Sequence, residues 1–348
     1  MSGDRLLRSL RLQGRACAEL GSPMYGDLLG QLAGDVDAGG VFADILSGHQ
    51  DAPARLAVPL RLLGGLHRLV LDGRAPSLRR WYPSTGGSWN AEAAWPDIAL
   101  AAADHAEALR TALGQPPQTN EVGRSAALIG GLLILSRRFG LPIRLFEIGC
   151  SAGLNLRADC YRYRHPGGQW GPADSPVIID DAWRGRLPPA ATPRIVERHG
   201  YDIAPVDATT RDGELTLLSY VWADMTARLD RLRGAIRVAR DVAAPLHRSS
   251  AAEAVAGLAV AEGALTVLWH SITRQYLSAE EQAAVAAGID ALATGAHAGA
   301  PFAHLMLEPQ RRAPDAAVEF VVRARSWPDG DDELLADCTP FGVPVTWT

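Results

Sequence analysis

The run Glu147-Ile148-Gly149-Cys150-Ser151-Ala152-Gly153 constrains the fold more than any other part of this chain. Leu145-Phe146-Glu147-Ile148 reads as a short strand and Leu154 onward as a helix, so an acid and two glycines fall on a strand-to-helix turn. Glycine lets the backbone turn sharply and lets a ligand approach it, and the first N–H groups of a helix attract anions.

Around the turn the pattern alternates. Thr119 or Asn120 is placed to cap a helix ending at Phe139, before Gly140. Further strands are predicted at 195–197, 245–247, 265–269, 304–307 and 318–323. Helices are predicted at 228–240, burying Leu229, Leu232 and Ile236, and from the capping box Ser278-Ala279-Glu280-Glu281 through Leu292. Alternation of this kind implies an α/β domain with a mostly parallel, Rossmann-like sheet, and the turn-rich C-terminus adds an antiparallel hairpin. Residues 1–117 show only helical patterns: one begins at Leu6, Leu7, Leu10 and Leu12, one follows Pro53, and one spans 93–113. The expected division is a helical cap region, 1–117, packed over the strand ends, and a Rossmann-like domain, 118–348. That domain carries an insertion at about 164–193, rich in proline and glycine, which suits a hairpin over the pocket.

Composition excludes several functions. The chain is 47% apolar and 21% charged, as globular proteins are, and its net charge of −5 argues against a nucleic-acid partner. All 34 basic residues are arginine. Without lysine there is no Schiff base for pyridoxal phosphate and no phosphate-binding lysine loop. The four cysteines have no C-x-x-C spacing, and no His/Cys/Asp cluster has metal-ligand spacing, so neither a disulfide framework nor a metal is expected. The N-terminus lacks a signal-peptide core, and the longest apolar run, 126–135, is too short to span a bilayer. A cytoplasmic protein with no membrane partner and a small-molecule substrate is expected; nothing in the sequence fixes an oligomeric state.

Three readings compete for the loop. A dinucleotide fingerprint, G-x-G-x-x-G, fails at Ser151 and Leu154. Gly149-Cys150-Ser151-Ala152-Gly153 matches the G-x-S-x-G of serine hydrolases, with Asp224 and then His270 or His304 following in the right order. Against it, Glu147 would crowd a developing oxyanion, and only helices precede the strand. The third reading is the first strand of a class I S-adenosylmethionine-dependent methyltransferase, which ends in an acid before glycine-rich turns and opens its domain.

The runs 118–124 and 147–156, with Arg198-His199-Gly200-Tyr201-Asp202, Pro205-Val206-Asp207, His270-Ser271, Gln275-Tyr276 and Trp327-Pro328-Asp329-Gly330, resemble the bacterial domain of unknown function catalogued as number 2332. The resemblance covers nearly the whole chain, and the family is similar to class I methyltransferases in fold. Ala223 stands where the family's proline is expected, at a helix start. The class I likeness implies S-adenosylmethionine as cofactor, held by Glu147, Gly149, Ser151, Gly153 and Asn155, with Asp202 on the ribose and Asp207 and Asp224 as rivals. His270, ending a strand, suits a general base, with Gln275 and Tyr276 in the same cleft. Asn120, Glu121 and Arg124, with Glu308 beside them, are the substrate-binding candidates. The expected activity is methyl transfer to a small molecule. A serine hydrolase using Ser151 and a non-enzymatic nucleoside-metabolite binder are the alternatives.

Overall fold

The computed structural model describes residues 4–311, 313 and 316–348. The chain divides into two compact units: one holds the residues up to Thr119 with Thr210–Asp230, the other Asn120–Thr209 with Arg231–Thr348.

The first unit is helical. It contains α1 (Asp4–Glu19), α2 (Pro23–Asp37), α3 (Val41–Ile45), α4 (Val58–Leu71), α5 (Ala91–Asp104) and α6 (Ala106–Leu113). Leu6 and Leu10 of α1 are buried, but Leu12, expected on the same face, is exposed. Pro53 opens a 3₁₀ turn rather than a helix, and α4 starts at Val58 with a proline in its first turn. The alanine-rich stretch is two helices, because His105 leaves helical geometry at φ −120°. The late segment contributes α8 (Arg211–Ser219), which follows α7 (Ser125–Phe139) in the chain and packs on α4. His67 of α4 is fully buried between the Ser219 carbonyl and the Ser84 hydroxyl, at 3.2 and 2.8 Å. Asp224 accepts from the Ser22 hydroxyl at 2.6 Å and the Met24 amide at 3.1 Å, closing the start of α2. The expected rival for a ribose or for a catalytic triad is therefore a helix cap.

The second unit is α/β. Its nine-stranded sheet runs β5-β12-β11-β10-β9-β8-β1-β6-β7. The strands are β1 (Ile143–Ile148), β5 (Trp183–Gly185), β6 (Ile195–Asp202), β7 (Leu246–Arg248), β8 (Leu265–Ser271), β9 (Phe302–Gln310), β10 (Glu319–Trp327), β11 (Asp331–Cys338) and β12 (Val345–Trp347). The stretch β7-β6-β1-β8-β9 is parallel throughout, while β9, β10, β11 and β12 pair antiparallel. The chain moves outward from β1 to β6 and β7, then returns to β8 on the other side of β1. All five carboxyl ends thus share one edge, and the winding reverses between β1 and β8. Strands buried on both faces read as apolar runs, and all seven residues of β8 are buried.

Helices cover both faces. The first, α7, ends at Gly140 in left-handed geometry and packs on the face carrying Leu305. Its expected cap works elsewhere: Glu121 accepts from the Gly123 amide, while Asn120 serves the glycine loop. A long helix, α9 (Thr226–Asp241), begins in the first unit and enters the second, with Leu229, Leu232 and Ile236 buried as expected. The other face packs α10 (Ala251–Ala256) and α11 (Ala279–Gly295) on Phe146, Ile148, Leu268 and Phe302. Ser278 caps α11 at 3.1 Å, but Glu281 turns to the Ala251 amide instead of completing the box.

One expectation fails between β1 and β6. No α-helix follows the glycine loop: Leu154–Cys160 is 3₁₀ and loses helical geometry at Arg157. The chain then forms the small sheet β3-β2-β4, of β2 (Arg162–His165), β3 (Gly168–Trp170) and β4 (Ile178–Ile179). The predicted insertion hairpin is therefore β2–β3. The segment continues into β5, which pairs with β12 at the sheet edge away from β7, and Trp183 donates to the Ala126 carbonyl of α7 at 2.9 Å.

Replacing Asp224 by alanine removes two hydrogen bonds at the start of α2. We expect a loss of ~1–3 kcal/mol, read from the urea midpoint at unchanged m-value. An unchanged midpoint would show that the cap contributes nothing to stability.

Candidate functional site

The glycine loop is built on side chains that grip its backbone. Gly149 and Ser151 have φ of +67° and +53°, and Gly153 has +62°. Residues in such a turn leave peptide groups without helical partners, so other parts of the chain satisfy them. Asp202, the last residue of β6, accepts from the Ser151 amide at 2.9 Å and, through its other oxygen, from the Ala204 amide at 2.9 Å. Asn120 accepts from the Leu154 amide at 2.9 Å. Arg157, buried and unremarked in the sequence, donates to the Gly153 carbonyl and to the Val242 carbonyl, both at 2.8 Å. The protein's own packing also needs the glycines. A Cβ at Gly149 would come within 2.5 Å of Thr273 Oγ1, and one at Gly153 within 2.7 Å of a Leu246 methyl.

Glu147, one residue before the end of β1, is almost fully buried, at 2% exposure, and its Oε2 has no partner. It is paired in register with Trp269 of β8, so the two side chains share a face. Its carboxyl is pushed up to about 8. Burial is the main cause and the charge of Asp202 adds to it, while the Trp269 indole N–H, Arg124 and Asn155 oppose the rise. Asn155 is buried beside it with Oδ1 unpartnered.

The sheet brings some predicted residues together and separates others. Glu147, Ser151, Asn155, Asp202 and Asn120 converge on the loop. Asp207 does not: it is exposed and accepts from the Thr209 amide and hydroxyl, which holds its carboxyl below the usual range. Glu121 lies 3.9 Å from Arg231, and Arg124 donates to the carbonyls of Pro340 and Ser271. Gln275 and Tyr276 occupy an exposed 3₁₀ turn, with Tyr276 at 53% exposure.

His270 points to the other face. It alternates with Trp269, so it sits opposite Glu147 across the sheet, on the side of α11. Glu308 joins it there rather than the 120–124 cluster. Glu308 Oε1 accepts from His270 Nδ1 at 2.7 Å and from the Thr273 amide at 2.8 Å. His270 Nε2 lies 2.9 Å from Nε2 of His304, so both its ring nitrogens are engaged. Burial pushes the Glu308 carboxyl up, but His270 and the Thr273 and Arg274 amides outweigh it and hold the group below the usual range. Burial, with the charges of His270, Arg325 and Arg274, pushes His304 well below the usual histidine range. His304 entered the sequence reading only as a spare triad histidine. The period-2 spacing of 304, 306 and 308 was the signal that these side chains share a face. Among the described residues no group of three or more His, Cys, Asp or Glu is arranged to hold a metal ion, and no helix is long and apolar enough to cross a membrane.

Glu147 makes stability depend on pH. A folded-state value near 8 against an ordinary 4.5 means that the folded chain binds the proton more tightly. The penalty is absent below the lower value, grows as pH rises between the two, and then levels off. Glu147→Gln removes it, so the stability gain over wild type should widen by ~3 kcal/mol from pH 5 to pH 8 in denaturant titrations. A pH-independent difference would refute the burial argument. Ser151, with Asp224 capping α2 and His270 bonded through both nitrogens, should resist fluorophosphonate labelling; stoichiometric labelling lost in Ser151→Ala would reinstate a nucleophile.

No curated protein and no solved structure matches the chain significantly. One family model matches residues 8–347 and is described as an uncharacterized protein conserved in bacteria (DUF2332). The match spans both units and every residue of the loop and of the histidine chain, and the protein belongs to that family.

Proposed function

We propose that the second unit is a Rossmann-like, class I methyltransferase-like domain that binds S-adenosylmethionine over the 149–153 loop and transfers its methyl group to a small molecule. Asp202 carries the reading. It ends the strand next to β1 and is bonded to the β1 loop, so two adjacent parallel strands carry acids at their carboxyl ends, Glu147 and Asp202, beside the point where the winding reverses. Open α/β sheets bind ligands outside the carboxyl ends of strands at such a reversal.

The residues fit the chemistry of this ligand. Each Asp202 oxygen keeps lone pairs after accepting one amide, and these suit the two hydroxyls of a ribose. Glu147 has a buried, unpartnered oxygen, and an ammonium group there would offset the burial that now favours its protonated form. A sulfonium donor carries an activated methyl group, so the protein's contribution is alignment and exclusion of water more than strong acid–base catalysis.

Calorimetry against S-adenosylmethionine, S-adenosylhomocysteine and NAD tests the reading. The first two should bind and NAD should not. Asp202→Asn should weaken the adenosyl ligands by ~10-fold or more. No affinity for S-adenosylmethionine at millimolar concentration would withdraw the cofactor; tight binding without transfer to any acceptor would leave a nucleoside-metabolite binder.

A further inference from the structure

On the α11 side of the sheet, at the same edge as the loop, lies a cavity of about 400 Å³. Its floor and walls are apolar where β1 and α11 face each other, through Ile148, Leu277, Val285 and Ile289. Its polar end is formed by His270, His304, Arg274 and Arg325.

Three observations give this end a chemistry. His304 is 7% exposed and uses Nε2 on His270, but its Nδ1 has no hydrogen-bond partner. Arg325 pairs in register with His304 across the β9–β10 ladder, on the same face. Its guanidinium lies over the Trp327 ring at 4.8 Å and reaches Asp332 only at 4.0 Å, and Asp332 is already paired with Arg323 at 2.5 Å. Arg274, among the described residues, reaches only the amide oxygen of Gln282, at 3.4 Å. Two weakly neutralised guanidinium groups therefore flank a buried nitrogen that lacks a partner. Of the acids facing the cavity and its continuation past Arg274, Glu308 directs Oε1 to His270 and two amides and leaves its buried Oε2 without a partner, and Asp290 sits on the exposed surface of α11.

We propose that this cavity binds a small hydroxy acid with an apolar body, its carboxylate on Arg325 and Arg274 and its hydroxyl on Nδ1 of His304. A hydroxyl both donates and accepts, so it satisfies Nδ1 in either tautomer of His304. Guanidinium groups suit a carboxylate because their N–H fork matches its two oxygens. The apolar walls set the body of the ligand, as in most small-molecule pockets of this size. Thr273 joins the two regions, since it lines the cavity and packs on Gly149. The assignment does not depend on the methyl-transfer reading; under that reading this ligand is the acceptor.

Three probes separate the contributions: 3-phenyllactate, 3-phenylpropionate, which lacks the hydroxyl, and 3-phenyl-1,2-propanediol, which lacks the carboxylate. Calorimetry of the full chain should show 3-phenyllactate binding best. Loss of the hydroxyl should weaken binding ~10-fold, and loss of the carboxylate by more than that. Arg325→Met and Arg274→Met should each erase most of the preference for 3-phenyllactate over the diol, while circular dichroism is unchanged. Equal affinities for the three probes, no binding of 3-phenyllactate at millimolar concentration, or a preference that survives both arginine substitutions would overturn the assignment. The wild-type series decides even if a variant fails to fold, and S-adenosylmethionine titrated separately keeps this result distinct from the cofactor's.

Discussion

A single loop is held by three side chains from three parts of the chain. Asp202 takes the Ser151 amide, Asn120 takes the Leu154 amide, and Arg157 holds the Gly153 carbonyl. In the usual strand–loop–helix arrangement an α-helix would satisfy the peptide groups that follow the turn. Here the turn enters only a short 3₁₀ segment, so side chains must do it. The state of Glu147 depends on this arrangement, because Asp202, and Asn155 just past the loop, both act on its carboxyl. So does the sheet's carboxyl edge, because the Cys150 amide donates to the Tyr201 carbonyl and extends the β1–β6 pairing into the loop.

Two glutamates at this edge show how partners decide the state of a buried acid. Glu147 and Glu308 are exposed by 2% and 6%. Each keeps a buried oxygen without a partner, and at Glu147, with the charge of Asp202 nearby, the carboxyl rises. Glu308 has His270 and two amides converging on one oxygen, and its carboxyl falls below the ordinary range. Burial acts on both in the same direction, so the difference comes from the donors and from neighbouring charge. One edge of a single sheet therefore carries an acid that favours its proton on one face and a charged acid on the other.

The sequence made the central strands legible because parallel strands covered on both faces must be apolar, and 265–269 and 304–307 fall inside observed, largely buried strands; 195–197 also falls inside a strand, though Val196 is exposed. Asp202 was named through the class I likeness, while the strand read from the pattern stopped at 197 and the observed one runs on to Asp202. What failed was local chemistry with more than one solution. Leu154-Asn155-Leu156 reads as a helix start, yet Tyr161 turns back to the Leu154 carbonyl and the chain leaves for β2. Glu281 fits a capping box, yet the Ala251 amide at the start of α10 takes it. Asp224 sat in triad order along the chain and is used on α2, some two hundred residues away. Sheet face was the other loss. Glu147 and His270 lie at the ends of neighbouring strands, but residue parity sends them to opposite sides, and a strand's end had been read as a point rather than as two surfaces.

A buried acid with one oxygen left without a partner in a sheet core lowers stability. The same carboxyl replaced by an amide would suit the apolar face better at neutral pH. Its cost changes sign once a cation reaches Oε2, because the charged form then gains a partner where the protonated form gains none. Binding such a group at neutral pH would drive a proton off Glu147, so affinity would rise with pH up to about 8 and level off above it. A ligand lacking a cation, such as a neutral nucleoside, would show no such linkage. Under the proposed function, the buried acid at the end of β1 would favour the cationic part of the ligand, independent of how the adjoining loop recognises the rest of the molecule.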